Sequence, residues 1–156
     1  NYPVDIPVVY PLLFNVFPEN LSPLLEDRNK PYAEGDCSQQ DLDGLTEDEE
    51  WIESNAMHSI NGFLFCNNPT IESKVGVKVR FYIFGFGSEE SMHSPVFHNQ
   101  LVQSQVRQGD SESGVQIFPY NAESMDVLMI SRGRSSFECA VADHLMAGMK
   151  GRFVVR

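Results

Sequence analysis

The most informative stretch of the chain is Phe137-Glu138-Cys139-Ala140-Val141-Ala142-Asp143-His144-Leu145-Met146-Ala147-Gly148-Met149. In it, Cys139 is followed by His144 five residues later and by Met149 after five more. A thiolate, an imidazole and a thioether are ligands that copper takes in an electron-transfer site, together with a second imidazole. These three residues are expected to lie on one strand end and on the loop that follows it, where a stiff sandwich would hold them in place. Such a scaffold would keep the geometry fixed when copper changes oxidation state.

The second imidazole has to come from another part of the chain, and His93 is the candidate. It ends the tract Gly85-Phe86-Gly87-Ser88-Glu89-Glu90-Ser91-Met92-His93, which follows an apolar strand. An upstream histidine after a Gly-rich strand end makes the Cys139 to Met149 spacing a strong indication of a copper site. The alternative interpretation is that Cys139 is a core thiol and His144 a loop histidine with structural hydrogen bonds.

The rest of the chain has short apolar runs separated by turn residues, the pattern of an all-β protein. A first strand is predicted over 8–17, and from residue 60 onward Gly, Pro, Ser or Asn separate short apolar runs. Seven or eight such strands indicate a sandwich or barrel. Residues 142–149 allow at most a turn or two of helix. The later strands are predicted over 62–65, 75–86, 96–97, 101–106, 115–118, 126–130, 135–141 and 152–155.

Length and composition limit the range of functions. The 156 residues are the usual size of one domain, and 42% hydrophobic residues with eleven phenylalanines favour a packed core. The net charge of −11 disfavours nucleic acid as a partner and favours metal cations or basic protein surfaces. No apolar stretch approaches the roughly 20 residues needed to cross a bilayer. The first residues lack an initiator Met and a leader, which predicts a processed or excised piece of a larger protein.

A long polar segment, from Pro18 to Glu50, separates the first strand from the rest. Between Glu34 and Glu53 there are nine acidic residues and no Lys or Arg. One interpretation is a solvated acidic loop on a rigid scaffold. The other is an electrostatic funnel for a cation.

The chain has three cysteines, Cys37, Cys66 and Cys139. An odd count in a secreted protein indicates one disulfide and one thiol kept for another task. If Cys139 binds a metal, Cys37 and Cys66 are the candidate pair. The alternative is three independent buried thiols.

Four stretches carry a resemblance to a known family: Phe14 to Asn20, Glu53 to Gly62, Gly85 to His93, and Cys139 to Met149. From Leu12 to Val155 the sequence resembles a cupredoxin domain of the ceruloplasmin–hephaestin family of multicopper ferroxidases, whose relatives include the A domains of coagulation factors V and VIII. The resemblance implies one Greek-key cupredoxin domain over 1–156 that is secreted or belongs to the extracellular part of a membrane-anchored protein. It also implies that the ligands of a type 1 (blue) copper are His93, Cys139, His144 and Met149.

The chain departs from the family's catalytic domain, in which histidines flank the ligand cysteine and help to build a trinuclear copper cluster. Here Glu138 and Ala140 flank Cys139. Of two further cluster positions upstream, Val96 fills one and His98 the other. One histidine cannot hold three coppers, so the chain alone is predicted not to be a complete oxidase. His98 is expected to be a structural hydrogen-bond donor.

The resemblance also implies a second metal site. In family domains that oxidise ferrous iron, a carboxylate and a histidine join the Asp before a copper-binding His, and Glu53, His58 and Asp143 match these ligands. A hard cation such as iron favours carboxylate oxygens with an imidazole. Glu89 matches a residue that serves the site of a neighbouring domain. The alternative is that Glu53 and His58 only make hydrogen bonds within the barrel.

Two classes of function follow from these residues. The first is a type 1 copper electron-transfer domain coupled to the oxidation of ferrous iron, without a trinuclear cluster of its own. The alternative is a non-catalytic structural or interaction module of the same fold, or a copper-storage protein, although an intact set of copper ligands argues against it. The expected partners are neighbouring cupredoxin domains or further copies of the chain, a redox partner and metal cations.

Overall fold

The computed structural model describes residues 8–22, 47–86, 92–104 and 115–156. These residues form two compact units. One contains the described residues up to Asn15 and those from His58 to Arg156, and the other runs from Val16 to Met57. The strands of the described residues are β1 (Val8–Pro18), β2 (Ala56–Ile60), β3 (Ile71–Ser73), β4 (Lys78–Gly85), β5 (Pro95–Phe97), β6 (Leu101–Ser104), β7 (Ala122–Leu128), β8 (Gly133–Cys139) and β9 (Lys150–Val155).

The strands form two sheets. Five strands make one sheet in the order β2-β1-β4-β7-β6, and four strands make the other in the order β3-β9-β8-β5. β1 pairs with β4, and β3 with β9, in parallel. The pairs β4–β7, β5–β8, β6–β7 and β8–β9 are antiparallel. The prediction of an all-β sandwich or barrel is therefore confirmed.

The core lies between the sheets and follows the alternation of the strands. On β4, Val79, Phe81 and Ile83 are fully buried, since every second side chain points to the same face. The Phe81 ring of the first sheet lies 4.6 Å, between centroids, from the Phe97 ring of the second sheet. The Phe97 ring lies in turn 5.9 Å from that of Phe137. These aromatic contacts join the two sheets, and burial of each ring contributes about 1.5–3 kcal/mol.

A tight hairpin occupies the region where the sequence predicted a strand over 62–65, so that prediction is wrong. Asn61 and Gly62 have φ angles of 55° and 79°. Ile60 and Phe63 exchange both backbone hydrogen bonds at 3.0 Å. Asn-Gly favours this left-handed two-residue turn, and the apolar run that follows it conceals the signal. The Asn61 side chain also hydrogen-bonds to the backbone of β1, which fixes the turn against that strand.

Other elements also differ from the predicted ones. The strand predicted over 115–118 is an isolated bridge, in which His93 and Ile117 exchange backbone hydrogen bonds. β2 and β3 were not predicted, because β2 buries the polar residues His58 and Ser59 and β3 has only three residues. Two short helices are present in the described residues: α1 (Glu49–Ser54) and α2 (Ala142–Met146). α2 confirms the helical turn predicted over 142–149.

The unit from Val16 to Met57 holds the end of β1, a 3-10 turn at Glu19–Leu21, and α1. The N-cap of α1 is Asp48, whose side chain accepts a hydrogen bond from Trp51 N–H at 3.0 Å. Acidic residues in the first turn of α1 interact favourably with its dipole. The acidic loop predicted from Pro18 to Glu50 thus includes the 3-10 turn and the start of α1, and its residues 23–46 lie outside the described ones.

Candidate metal centre

Cys139 is the last residue of β8 and is fully buried. Pro95 of β5 is its cross-strand partner, and Ala140 N–H donates to Ser94 C=O at 2.8 Å, so two strands fix the backbone beside the sulfur. Ser94 N–H also donates to Cys139 Sγ at 3.4 Å. A donor that points at the sulfur stabilises the thiolate, which is the form of cysteine that binds a metal.

His144 and Met149 lie in the connection between β8 and β9. His144 is part of α2, and its Nδ1 lies 3.5 Å from Cys139 Sγ. Met149 N–H donates to His144 C=O at 2.9 Å, and Cys139 N–H donates to Met149 C=O at 3.0 Å. Met149 is fully buried. The strand end and the loop therefore form one hydrogen-bonded unit that carries three of the predicted ligands.

His93 supplies the second imidazole and is fully buried. Its backbone exchanges hydrogen bonds with Ile117 at 2.8 and 2.7 Å, and its Nδ1 lies 4.0 Å from Cys139 Sγ. The other ring nitrogen, Nε2, lies 3.4 Å from the carbonyl oxygen of Phe86. A proton on Nε2 is donated to that carbonyl and leaves the lone pair on Nδ1, the atom that faces the sulfur. This is the tautomer that a metal ligand requires.

Burial controls the charge of this cluster. It lowers the pKa of His93 to about 4, an effect that the hydrogen bond to Phe86 opposes and the nearby His144 and His58 increase. It also raises the pKa of the Cys139 thiol. At neutral pH the metal-free cluster therefore holds a neutral imidazole at His93 and a neutral thiol at Cys139. A metal cation has to displace the thiol proton, so metal affinity rises with pH.

The donor set fits copper. The ligand atoms of His93, Cys139 and His144 all lie within 4.8 Å of one another. Two imidazole nitrogens and a thiolate sulfur form the trigonal plane of blue-copper sites, with a methionine as the weak fourth ligand. Within 8–22, 47–86, 92–104 and 115–156, no other group of three His, Cys, Asp or Glu side chains is close enough to hold an ion.

The residues predicted to bind iron belong to both compact units. His58 on β2 is buried, and its ring lies 4.8 Å from the ring of His144, between centroids. Asp143 is exposed in α2, directly before His144. Glu53 is exposed in α1, which belongs to the other unit. Glu89 lies outside the described residues, and the iron site stays a prediction.

His98 makes the kind of contact predicted for it. Its Nε2 donates to Glu138 Oε1 at 2.7 Å, with the two side chains 44% and 18% exposed. Glu138 lies directly opposite Val96 on the paired strands β8 and β5. Val96, His98 and Glu138 therefore form a small patch around one His–Glu hydrogen bond.

Some contacts of the ligands were not predicted from the sequence. Ser94 and Phe86 contact Cys139 and His93 through backbone atoms, which every residue offers, so side-chain identity gives no signal for them. Phe14 lies with its ring 5.7 Å from that of His93. The apolar pattern of β1 marks Phe14 as a core residue, but not as a neighbour of a ligand.

Cys66 lies outside the cluster. Its exposure is intermediate, it has no disulfide partner within the part of the chain that the structure describes, and its N–H donates to Lys150 C=O at 2.9 Å. Cys37, its predicted disulfide partner, lies outside the described residues.

Comparison with known proteins adds sequence relatives to this geometry. No family model matches the chain. Human ceruloplasmin is 35% identical over 146 residues, which are 94% of this chain and 13% of that protein. Mouse Ferroxidase HEPHL1 is 31% identical over 151 residues, or 97% and 12% of the two chains, and mouse hephaestin is 33% identical over 144 residues, or 92% and 12%. The chain thus spans about one eighth of the length of these relatives.

Solved structures show the same fold at low sequence identity. The multicopper oxidase from Campylobacter jejuni matches with a TM-score of 0.60 at 12% identity, over 99% of this chain and 31% of that one. The copper nitrite reductase from Nitrosomonas europaea matches with a TM-score of 0.62 at 16% identity, over 96% of this chain and 49% of that one.

The two sheets and the buried His-Cys-His cluster at the end of β8 define a cupredoxin fold with a site suited to copper. The sequence relatives, at 31–35% identity, indicate a narrower family than the structures that share the fold at 12–16% identity. The chain belongs to the ceruloplasmin–hephaestin family, as its four matching stretches predicted. Among the described residues, no helix has the length and apolar character needed to span a bilayer.

Proposed function

We propose that this chain is a type 1 (blue) copper electron-transfer domain whose electron donor is ferrous iron. The observation that best supports the proposal is the buried convergence of His93, Cys139 and His144, whose ligand atoms lie within 4.8 Å of one another. Met149, which is buried and accepts a backbone hydrogen bond from Cys139, would be the fourth ligand. Copper bound there supplies one-electron redox chemistry.

The protein around the cluster supports this chemistry by holding the ligands still. Hydrogen bonds to Ser94 on one side and to Met149 on the other fix the backbone next to Cys139. Ser94 N–H, 3.4 Å from Sγ, stabilises negative charge on the sulfur without adding a formal charge. Because the ligands do not have to move, little reorganisation accompanies the gain or loss of an electron.

Ferrous iron is the proposed substrate, with Asp143, His58 and Glu53 as the ligands that the family resemblance implies. Carboxylate oxygens suit a hard cation. Asp143 directly precedes His144, so a single peptide unit joins a proposed iron ligand to a proposed copper ligand. His58 offers a second route, since its ring lies 4.8 Å from that of His144. One relative, mouse Ferroxidase HEPHL1, carries this activity in its name.

The electron has to leave the domain again, and a partner is needed to accept it. Val96, Glu138 and Ala140 stand where the family's catalytic domain has histidines. The acceptor we propose is a trinuclear cluster in a neighbouring cupredoxin domain or another copper protein, in the extracellular location that the family resemblance implies. The isolated chain with ferrous iron is expected to show no sustained consumption of oxygen, which an oxygen electrode would measure.

Visible absorption spectroscopy after copper loading tests the copper site. We expect an intense blue band from charge transfer between the thiolate and copper, and its loss in Cys139→Ser. Cys66→Ser is the matched control and should keep the band, because Cys66 lies outside the cluster. A wild-type protein that excludes copper and stays colourless, or a band that survives Cys139→Ser, would contradict the proposal.

Anaerobic mixing of the copper-loaded protein with stoichiometric ferrous iron tests the electron donor. We expect the blue band to bleach, and Asp143→Asn to slow the bleaching while the band of the resting protein stays unchanged. If Asp143→Asn, His58→Gln and Glu53→Gln all bleach at the wild-type rate, the proposed iron site is wrong. Copper electron transfer would then stand without it.

A further inference from the structure

Charge is distributed very unevenly along this chain. Residues 16–57 contain twelve acidic and two basic residues, so ten of the eleven net negative charges lie in that compact unit. The rest of the chain contains ten acidic and nine basic residues and is almost neutral. If basic residues of this nearly neutral part lie together, the molecule presents surfaces of opposite potential, and such surfaces attract one another.

Five basic residues do lie together, at the end of the sandwich away from the metal centre. β8 and β9 are antiparallel, so the end of β8 at Cys139 and the start of β9 mark the metal end. β4 also finishes there, beside Phe86, whose carbonyl contacts His93. The opposite end, where β4 and β8 start and β9 finishes, carries a cluster that we call the basic end: Lys74, Lys78, Arg132, Arg134 and Arg156.

Backbone hydrogen bonds hold the basic end together. The turn of Lys74 is joined to the end of β9 by two hydrogen bonds with Arg156, at 2.9 and 3.0 Å. A third, at 2.8 Å, joins the same turn to Met129, three residues before Arg132. These bonds fix the backbone of the Lys74 turn relative to Arg156 and to Met129.

Most of these charges are available to a partner. Of the five, only Arg156 has an ion-pair partner within the described residues, an exposed contact at 2.8 Å with Glu72 that contributes little to stability. Exposed apolar side chains accompany the charges, since Val75 in the Lys74 turn is 47% exposed and Ile130 beside Arg132 is 52% exposed. Arginine combined with apolar area is typical of protein interfaces.

We propose that the basic end binds the acidic stretch, residues 47–53, of a second copy of this chain. Charge complementarity selects this occupant, because the acidic stretch has five exposed carboxylates within seven residues and no Lys or Arg. Its helix α1 presents Glu49 and Glu50 on a backbone that Asp48 caps, so the carboxylates are already positioned. The two surfaces differ, so the contact is heterologous and joins copies head to tail. The inference does not depend on the metal centre.

Sedimentation of the full chain over a range of protein concentrations tests this contact. At about 0.01 M salt, where the Debye length is about 30 Å, the average mass should rise with concentration. At about 1 M salt, where it is about 3 Å, the chain should be a monomer throughout. Arg132→Glu with Arg134→Glu should abolish the rise, and so should Glu49→Lys with Glu50→Lys. Arg152→Glu changes an exposed position of β9 outside the basic end and is the control. Its average mass should still rise with protein concentration.

A mixture of the two charge-reversed variants separates this contact from one within a single chain. Each double substitution lowers the net charge of one surface from five to one and leaves the other surface intact. The mixture of the two variants still offers an intact acidic stretch to an intact basic end. We expect mixed complexes at low salt although neither variant associates alone, with circular dichroism showing that both are folded. A wild-type chain that stays monomeric at low salt, or a mixture that forms no complexes, would overturn the proposal.

Discussion

Replacement of Asp126 by Asn should destabilise this protein by about 3–5 kcal/mol, because it leaves a buried charge without its partner. Asp126 on β7 faces Arg80 on β4, with Nε 2.7 Å from Oδ1 and Nη2 2.9 Å from Oδ2. The two residues are only 2% and 7% exposed. The hydrogen bonds that Arg80 donates to Asp126 raise the pKa of Arg80 above its already high ordinary value. Even without these bonds, the guanidinium remains charged in the variant.

Urea unfolding followed by circular dichroism measures this loss. Thermal unfolding gives a second measurement. A chain of this size loses about 2–4 °C of melting temperature per kcal/mol, so the melting temperature should fall by roughly 10 °C. The exposed pair Arg156–Glu72 is the control, because its atoms are also 2.8 Å apart but its side chains are 67% and 54% exposed. Glu72→Gln should cost less than about 1 kcal/mol. The difference between the losses of unfolding free energy in Asp126→Asn and Glu72→Gln isolates the contribution of burial.

A double substitution checks the cause. Arg80→Met combined with Asp126→Leu removes both buried charges and should recover most of the stability that Asp126→Asn loses. If Asp126→Asn costs no more than Glu72→Gln, or if the double variant is as unstable as the single one, then burial is not what makes this pair costly to break.

Other substitutions probe the core, the hairpin and the metal-free cluster. Gly151→Ala should cost about 1–3 kcal/mol in urea unfolding, since an added Cβ would clash with the Phe137 ring; Phe137→Leu in the same chain should recover part of it. Asn61→Ala should cost about 1–3 kcal/mol, because Ala disfavours a φ of 55° and lacks the side-chain hydrogen bonds; Asn61→Gly, which tolerates the φ, should cost less. Without metal, the unfolding free energy should rise by up to about 3 kcal/mol between pH 4 and 6.5. In that window the unfolded chain binds a proton that folded His93, with its pKa lowered to about 4 by burial, does not bind. His93→Gln should flatten this part of the pH profile.

The strands of the core could be predicted because a local pattern specifies them. The ranges predicted over 75–86, 135–141 and 152–155 overlap β4, β8 and β9, in which apolar side chains alternate toward the core. β2 could not be predicted in this way. It buries the polar residues His58 and Ser59, and Ser59 Oγ donates to a distant partner, the carbonyl of Asn15, at 3.3 Å. The parallel pairing of β1 with β4 likewise depends on contacts between segments far apart in the chain.

The ligands of the candidate site were visible in the sequence to different degrees. Cys139, His144 and Met149 lie within eleven residues, and this spacing becomes a strong indication of a copper site only together with the upstream His93. His93 lies 46 residues from Cys139, and the pairing of β5 with β8 brings it close. The groups that orient and polarise the ligands, such as the Phe86 carbonyl, belong to the backbone. Every residue has such groups, so only the folded chain shows which of them face the site.

The alternation of side chains along β8 has a consequence for how such domains diversify. Cys139 points into the core, whereas its two neighbours, Glu138 and Ala140, point to the opposite face of the strand. Substitutions at the outer positions can therefore introduce or remove metal-binding side chains without disturbing the packing around the cysteine. If Cys139 binds copper as proposed, the copper ligand and the two positions that flank it lie on opposite sides of one strand, so a metal site at either side can be gained or lost without the other.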